Sequence, residues 1–434
     1  MEPEPASKFR LRNGIMNRKI LHIDQNCFFA SVEMINQPEL RCVPMAVGGD
    51  AEKRHGIILA KNPLAAACGV KTAETIWQAK QKCPKLTVIP GHYEQYNYYS
   101  SKLFEMYCQY TDRVEPYGLD ECWLDLTDIA GVGDPVSIAE EIRGRVKKEL
   151  GLTCSIGVSF NKVFAKLGSD YKKPDATTYI SEENFKSIVW PLPVGDLLFV
   201  GRSTRGKLEK INIKTIGALA AMSPDYIRDY LGINGMRLWL SANGLEDSPV
   251  ALFSYKREIK SVGNSTTTAR DMTGVSDVWQ TIVALSDQVA GRLRKHGLAA
   301  RTVQIWIRDT NLGSFERQKS LISATNHADE ISTAAMELFK RNYLWENSVR
   351  SLGVRGTQLV SSLEPRQMTL FDSEFGEKDK AAIDQVVDRL RLQFGNKAIR
   401  RGVQLACDSK LIENGQLEDN RGGFSALQQM DIRL

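Results

Sequence analysis

The stretch YGLDECWLDL, residues 117–126, decides the reading of this chain. Asp120 and Glu121 are adjacent acids in a run that is otherwise apolar or aromatic. Strand side chains alternate between faces, so a half-buried strand would turn one acid inward. An unpaired buried carboxylate is costly. Two acids at the end of a strand escape that cost if both reach one polyvalent cation. Hard oxygen ligands suit Mg2+, which takes one or two carboxylates and completes its shell with substrate phosphates and water. A third acid is available in LHIDQN, residues 21–26, where Asp24 ends another apolar run. If the two strands are neighbours, three carboxylates converge. Two metals about 3.5–4 Å apart would then clamp both ends of an in-line phosphoryl displacement. The plainer alternative is a pair of solvated acids at a hairpin end, where acids are common.

The rest of the composition sets limits. The 434 residues suffice for roughly two to four domains. A hydrophobic content of 42% and a charged content of 25% are those of a water-soluble globular chain. No apolar run reaches the length of a membrane span, and MEPEPASKFRLRNGI, residues 1–15, lacks the apolar core of a signal peptide. The reading is a cytoplasmic protein with a disordered N-terminal extension over 1–15. Eight cysteines form no C-x-x-C pair and there are only five histidines, which argues against zinc and for reduced thiols. The net charge of +5 is concentrated: residues 250–360 hold 15 Lys and Arg against 10 Asp and Glu. A basic segment of this kind suits a polyanionic partner.

Along the chain, strands and helices alternate without a strict βαβ repeat, which predicts an α+β domain with a mixed sheet rather than a parallel one. ILHIDQ and TCSIGVSF read as buried strands, and HYEQYNYYSSKLFEMYCQY as a long helix. In PLAAACGVKTAETIWQAKQKCP two helical pieces are expected, with Gly69 after the first and Thr72 capping the second. Residues 192–243 are helical and punctuated by glycine. A second α+β domain follows, with strands around KSVGNSTTT and RTVQIWIRD and helices near 277–296 and 328–343. A last helix is expected from about Asp379 to Phe394.

ILHIDQNCFFASVE, GLDECWLDLT and SIGVSFNKVFAKLGSDYKKPD, in that order and spacing, resemble the Y-family DNA polymerases of the bacterial DNA polymerase IV type. The likeness runs from about Met16 to Phe371. It implies an α+β multidomain, right-hand polymerase with a mixed-sheet palm (16–35 and 93–187), small fingers (36–92), a helical thumb of helix-hairpin-helix kind (188–249) and an α+β little finger domain (250–360). Residues 361–434 would form a tail. By the same resemblance Asp24, Asp120 and Glu121 are catalytic metal ligands, the backbone carbonyl of Gln25 is a further ligand, and the cofactors are two Mg2+ ions with Mn2+ an acceptable substitute. Phe29 matches a steric gate against the ribose 2′-OH, Phe28 packs beneath the nucleotide, and Lys173 matches a contact to the incoming triphosphate. The implied partners are primer–template DNA and dNTPs, with no membrane and a monomeric chain. The implied activity is low-fidelity translesion synthesis. The alternative is a catalytically impaired damage-response factor that binds DNA and the sliding clamp.

Several positions depart from the family pattern. Asn26 stands where a second acid is common, and Gly118 where a serine precedes the acid pair. Pro63 and Ala66 occupy the Tyr-x-x-Arg positions that grip the triphosphate, so Lys61 becomes a candidate substitute, with Arg54 and Lys71 behind it. The first thumb hairpin, VGRSTRG, has Gly201 but lacks the usual G-x-G. RQMTLF, residues 366–371, resembles the peptide by which bacterial polymerases dock on the sliding clamp. Gln367 would supply hydrogen bonds, and Met368, Leu370 and Phe371 hydrophobic anchors.

Overall fold

ILHIDQ is buried along its whole length and forms strand β1 (Ile20–Gln25), the centre of a five-stranded sheet. The structure, a computed structural model, describes residues 18–49, 56–129, 133–255, 258–364, 374–395 and 398–404. The extension over 1–15, Arg54 and the clamp-like peptide 367–371 lie outside the described residues. Residues 18–49 and 57–255 form one compact unit, and 258–404 form a second.

In the first unit β1 leads into α1 (Phe28–Asn36), then β2 (Met45–Gly48), β3 (Ile58–Lys61), α2 (Pro63–Ala67), α3 (Ile76–Lys82) and β4 (Thr87–Ile89). Next come α4 (Tyr93–Tyr107), β5 (Val114–Pro116), β6 (Glu121–Asp125), α5 (Pro135–Leu150), β7 (Cys154–Ser159), α6 (Lys162–Tyr171) and β8 (Thr177–Ile180). The large sheet runs β5-β6-β1-β7-β8, with β1 antiparallel to both neighbours and β8 parallel to β7. It is the mixed sheet expected from the sequence. A smaller sheet, β3-β2-β4, carries α2 and α3. The cap of α3 is Thr75, not Thr72: its hydroxyl accepts from the Gln78 N–H while the Gln78 side chain accepts from the Thr75 N–H. A threonine with a glutamine three residues on is a capping box, and Thr72 has no such partner. Gly69, at φ 83°, does follow the first helix.

One contact determines where α6 lies. A Cβ on Gly157 in β7 would sit 1.8 Å from the Ala165 carbonyl oxygen and 2.5 Å from the Ser169 nitrogen. The helix backbone therefore rests directly on the strand. From that seat α6 sends Phe164 and Leu167 into an apolar cluster shared with α7 (Phe185–Val189), α8 (Arg202–Lys210), α9 (Ile216–Ala220), α10 (Pro224–Leu231) and α11 (Ile233–Ala242).

The second unit is an antiparallel four-stranded sheet, β11-β10-β12-β9, built from β9 (Ser261–Met272), β10 (Leu298–Asp309), β11 (Ser314–Thr325) and β12 (Val349–Ser361). Helices α12 (Val275–Lys295) and α13 (Ala328–Asn342) bury one face against Val303, Ile305, Ile307, Leu352 and Val354. The alternate residues Gln304, Trp306, Arg308 and Arg355 are half-buried or exposed, on the opposite face. Helix α14 (Glu374–Phe394) begins earlier than the sequence pattern suggests. It is held to α12 by ion pairs from Arg294 to Asp388 (2.6 Å) and Asp384 (3.2 Å), and from Arg391 to Asp287 (2.6 Å). No helix among the described residues is long and apolar enough to cross a membrane.

The seat of α6 gives a direct test. Gly157→Ala should lower stability by about 3 kcal/mol or more, because backbone atoms cannot yield as a flexible side chain would. An unchanged urea midpoint would show that α6 does not rest on β7 as described.

Candidate active site

The antiparallel register sets Asp24 opposite Glu121. Residues directly opposite one another on antiparallel strands share a face. Asp120 stays in the turn before β6, where its carbonyl accepts from the Gln25 N–H at 3.0 Å. The turn closes through the Tyr117 and Gly118 N–H groups, both donating to the Glu121 carbonyl. A Cβ at position 118 would lie 3.2 Å from Asp120 Oδ1. Glycine there leaves the Asp120 carboxylate free of a close Cβ contact.

Two lysines of the YKKPD region and α6 meet these acids. Lys173 Nζ lies 2.7 Å from Asp24 Oδ2 and 2.6 Å from Asp170 Oδ1. Lys166 Nζ lies 2.6 Å from Glu121 Oε2 and 3.8 Å from Asp170 Oδ2. One turn earlier Lys162 pairs with Glu115 at 2.6 Å and lies over the Trp123 ring. Four-residue steps place these groups on one side of the helix. His22, fully buried, hydrogen-bonds Ser169 Oγ through Nδ1 at 2.8 Å and brings Nε2 to 3.4 Å from Glu121 Oε2.

Electrostatics separate the three acids. Burial, reinforced by Asp24 and Glu121, pushes the Asp120 carboxyl up to about 7. Burial also raises Asp24, to about 6, more than Lys173 lowers it. Burial would raise Glu121 too, but His22 and Lys166 outweigh it and hold the carboxyl at about 2. Burial lowers the His22 ring to about 4, so it is neutral near pH 7. The lysines thus compensate Asp24 and Glu121, and Asp120 keeps the least compensated charge. Among the described residues no three such side chains form a ready metal cage. The donor set is nonetheless all hard oxygen at the end of one sheet, and it fits Mg2+ whose remaining ligands come from substrate and water.

The remaining candidates divide. Phe29 is half-buried and stacks on Tyr96 with centroids 4.3 Å apart. Tyr96 in turn donates to the buried Glu33 at 2.5 Å, and Glu33 also bonds His92. Sequence reasoning missed this buttress, although Glu33 falls four residues after Phe29 and so on the same side of α1. Phe28 is buried in the core beside β1. The Gln25 side chain donates to Tyr107 Oη at 2.8 Å, while its N–H is taken by the Asp120 carbonyl. Asn26 turns away from the acids, bonding Thr153 Oγ1 and Ser155 Oγ.

Lys61, at the end of β3, donates to Thr72 Oγ1 at 3.2 Å. It acts electrostatically on the Cys27 thiol together with Lys173 and Asp24, at the left-handed turn (φ 50°) that opens α1. Burial raises that thiol despite both cations. Pro63 takes the first position of α2 behind the Asn62 cap, a place that suits proline, and both Pro63 and Ala66 are exposed.

Comparison with known proteins places the chain in a family. The model of the impB/mucB/samB family matches residues 23–170, and that of the impB/mucB/samB family C-terminal domain matches 259–370. The DNA polymerase IV of Acetivibrio thermocellus is 49% identical over 391 residues, covering 90% of this chain and 98% of that protein. The DNA polymerase IV 1 of Bacillus subtilis is 38% identical over 390 residues, covering 90% and 94%. A solved Y-family DNA polymerase chimera aligns with a TM-score of 0.71 at 19% identity, over 79% of this chain and 99% of that one, a likeness of fold. The chain belongs to the impB/mucB/samB family, among the Y-family DNA polymerases of the DNA polymerase IV type.

Proposed function

We propose that this DNA-directed DNA polymerase adds dNTPs to a primer 3′-hydroxyl at the end of β1 and β6, with low fidelity and past damaged template bases. The observation that supports the reading is the register that sets Asp24 opposite Glu121, with Asp120 next to it in the turn and Lys173 beside Asp24. Asp24, Asp120, Glu121 and the Gln25 carbonyl would hold two Mg2+ ions. When bound, the ions supply charge neutralisation at the phosphates and a lowered pKa for the primer hydroxyl.

The chain's own groups do the rest. Asp170 keeps Lys173 next to Asp24, from where its ammonium reaches a triphosphate without leaving the site. Lys61 approaches the same turn from the fingers side and takes the place of the missing Tyr-x-x-Arg grip. Phe29, held flat by Tyr96, leaves no room for a ribose 2′-OH. Low fidelity and lesion bypass rest on the family alone. The open sheet face around Trp306, Arg308 and Arg355 is the DNA-facing surface of the second unit, and its cations add salt-dependent affinity for phosphates. Gln367, Met368, Leu370 and Phe371 serve as the sliding-clamp peptide.

Primer extension with wild type and Asp120→Asn tests the reading. The variant should lose extension by a factor of about 10³ or more. Its metal-free fold should gain on the order of 2 kcal/mol, because a buried charge is removed. The sign follows from the carboxyl: unfolded it titrates near 3.8, folded at about 7. The folded protein therefore carries the cost above pH 7, and the stability gap closes as pH falls towards 4. Full extension by the variant, or none by wild type, would overturn the assignment, the latter in favour of a catalytically impaired DNA-binding factor.

Nucleotide kinetics test the two fingers-side assignments. Phe29→Ala should admit ribonucleotides about 100-fold more readily, and Lys61→Ala should raise the dNTP KM about 10-fold. Unchanged sugar selection or an unchanged KM refutes the respective role. Deletion of 367–371 should leave extension of short primers intact and remove stimulation by the clamp; retained stimulation refutes the docking peptide.

A further inference from the structure

Phe199 pays two local penalties at once. It lies between Leu197 and Gly201 in the bend that leads into α8, with φ at +72°. That left-handed region suits glycine and, among other residues, those with short polar side chains; a bulky aromatic there is an outlier. The comparable bend between α10 and α11 takes its left-handed step with a glycine, Gly232 at φ 71°. The ring also gains nothing by burial, since Phe199 is 74% exposed while its neighbours Leu197 and Val200 are buried in the helical cluster. Strain of this kind persists where the surrounding structure over-determines it, and it gathers at binding sites.

The surroundings indicate what the ring meets. From Asp196 to Lys214 there are five basic residues against two acids, and Arg202, Lys207, Lys210 and Lys214 are all exposed. A large apolar ring set among solvated cations suits a polyanion whose backbone alternates charged and apolar faces, as the phosphates and deoxyriboses of DNA do.

We propose that Phe199 is a contact residue for the sugar face of the primer–template backbone, with the cations around it taking neighbouring phosphates. The assignment rests on the polymerase reading. It explains why an aromatic holds a conformation that favours glycine: the ring trades folding stability for grip on the duplex.

The trade gives two readouts of opposite sign. Phe199→Gly should raise the melting temperature, because the left-handed strain is relieved, and should weaken the Kd for primer–template about fivefold. The slope of log Kd against log salt should not change, because the ring carries no charge. Phe199→Tyr should keep the wild-type Kd. Binding by Phe199→Gly as tight as wild type overturns the assignment. So does weakened binding accompanied by a lower melting temperature, which would mark a structural role. A change of oligomeric state in Phe199→Gly with an unaltered Kd would give the ring to a second copy and also overturn it. A wild type that fails to bind primer–template removes the polymerase reading itself, whereas tight wild-type binding with an indifferent Phe199→Gly removes this assignment alone.

Discussion

Three carboxylates cannot share the end of one sheet unless something balances them, and here two lysines do so, Lys166 on α6 and Lys173 just beyond its end. Lys166 holds Glu121 and Lys173 holds Asp24. Lys166 is carried to Glu121 by α6, which lies directly on β7 where Gly157 has no Cβ. The same helix turns Phe164 and Leu167 into the helical cluster behind it. A single backbone contact thus serves the packing of the first unit and the electrostatics of its acidic centre. Asp120, in the turn, has no lysine of its own and carries the charge that a bound cation would relieve most.

Much of this was legible in the sequence. Adjacent acids after an apolar run, and a third acid ending another, suggest neighbouring strands, and the β1–β6 register does set Asp24 opposite Glu121. What escaped was the counter-charge within the protein. Lys166 sits in an amphipathic helix whose charged side looks solvated, and its partner is known only when the helix is placed on the sheet. Strands β11 and β12 were not foreseen. In β12 the alternation is broken by Gly353 and Gly356, and in β11 most residues are polar, so neither shows a clean period of two. Thr72 and Thr75 are equivalent by residue type, and the choice falls to Thr75 because Gln78 completes its box.

The departures from the family pattern concentrate where substrate would be gripped. Pro63 and Ala66 give α2 a good start and a smooth outer surface but no cation or hydroxyl. Lys61 and Lys173 both act electrostatically on the thiol of Cys27, at the left-handed turn that opens α1. In the helical region Phe199 holds a backbone conformation that favours glycine.

The central claim is that lysines stand in for cations at the acids. It is tested most directly by comparing thermal unfolding of wild type and Lys166→Met in chelator and in saturating Mn2+. If the account holds, Lys166→Met is destabilised in chelator by about 2 kcal/mol, because a buried carboxylate loses its partner, and Mn2+ raises its melting temperature more than it raises that of wild type. Equal shifts on adding Mn2+, or no loss of stability in chelator, would contradict it.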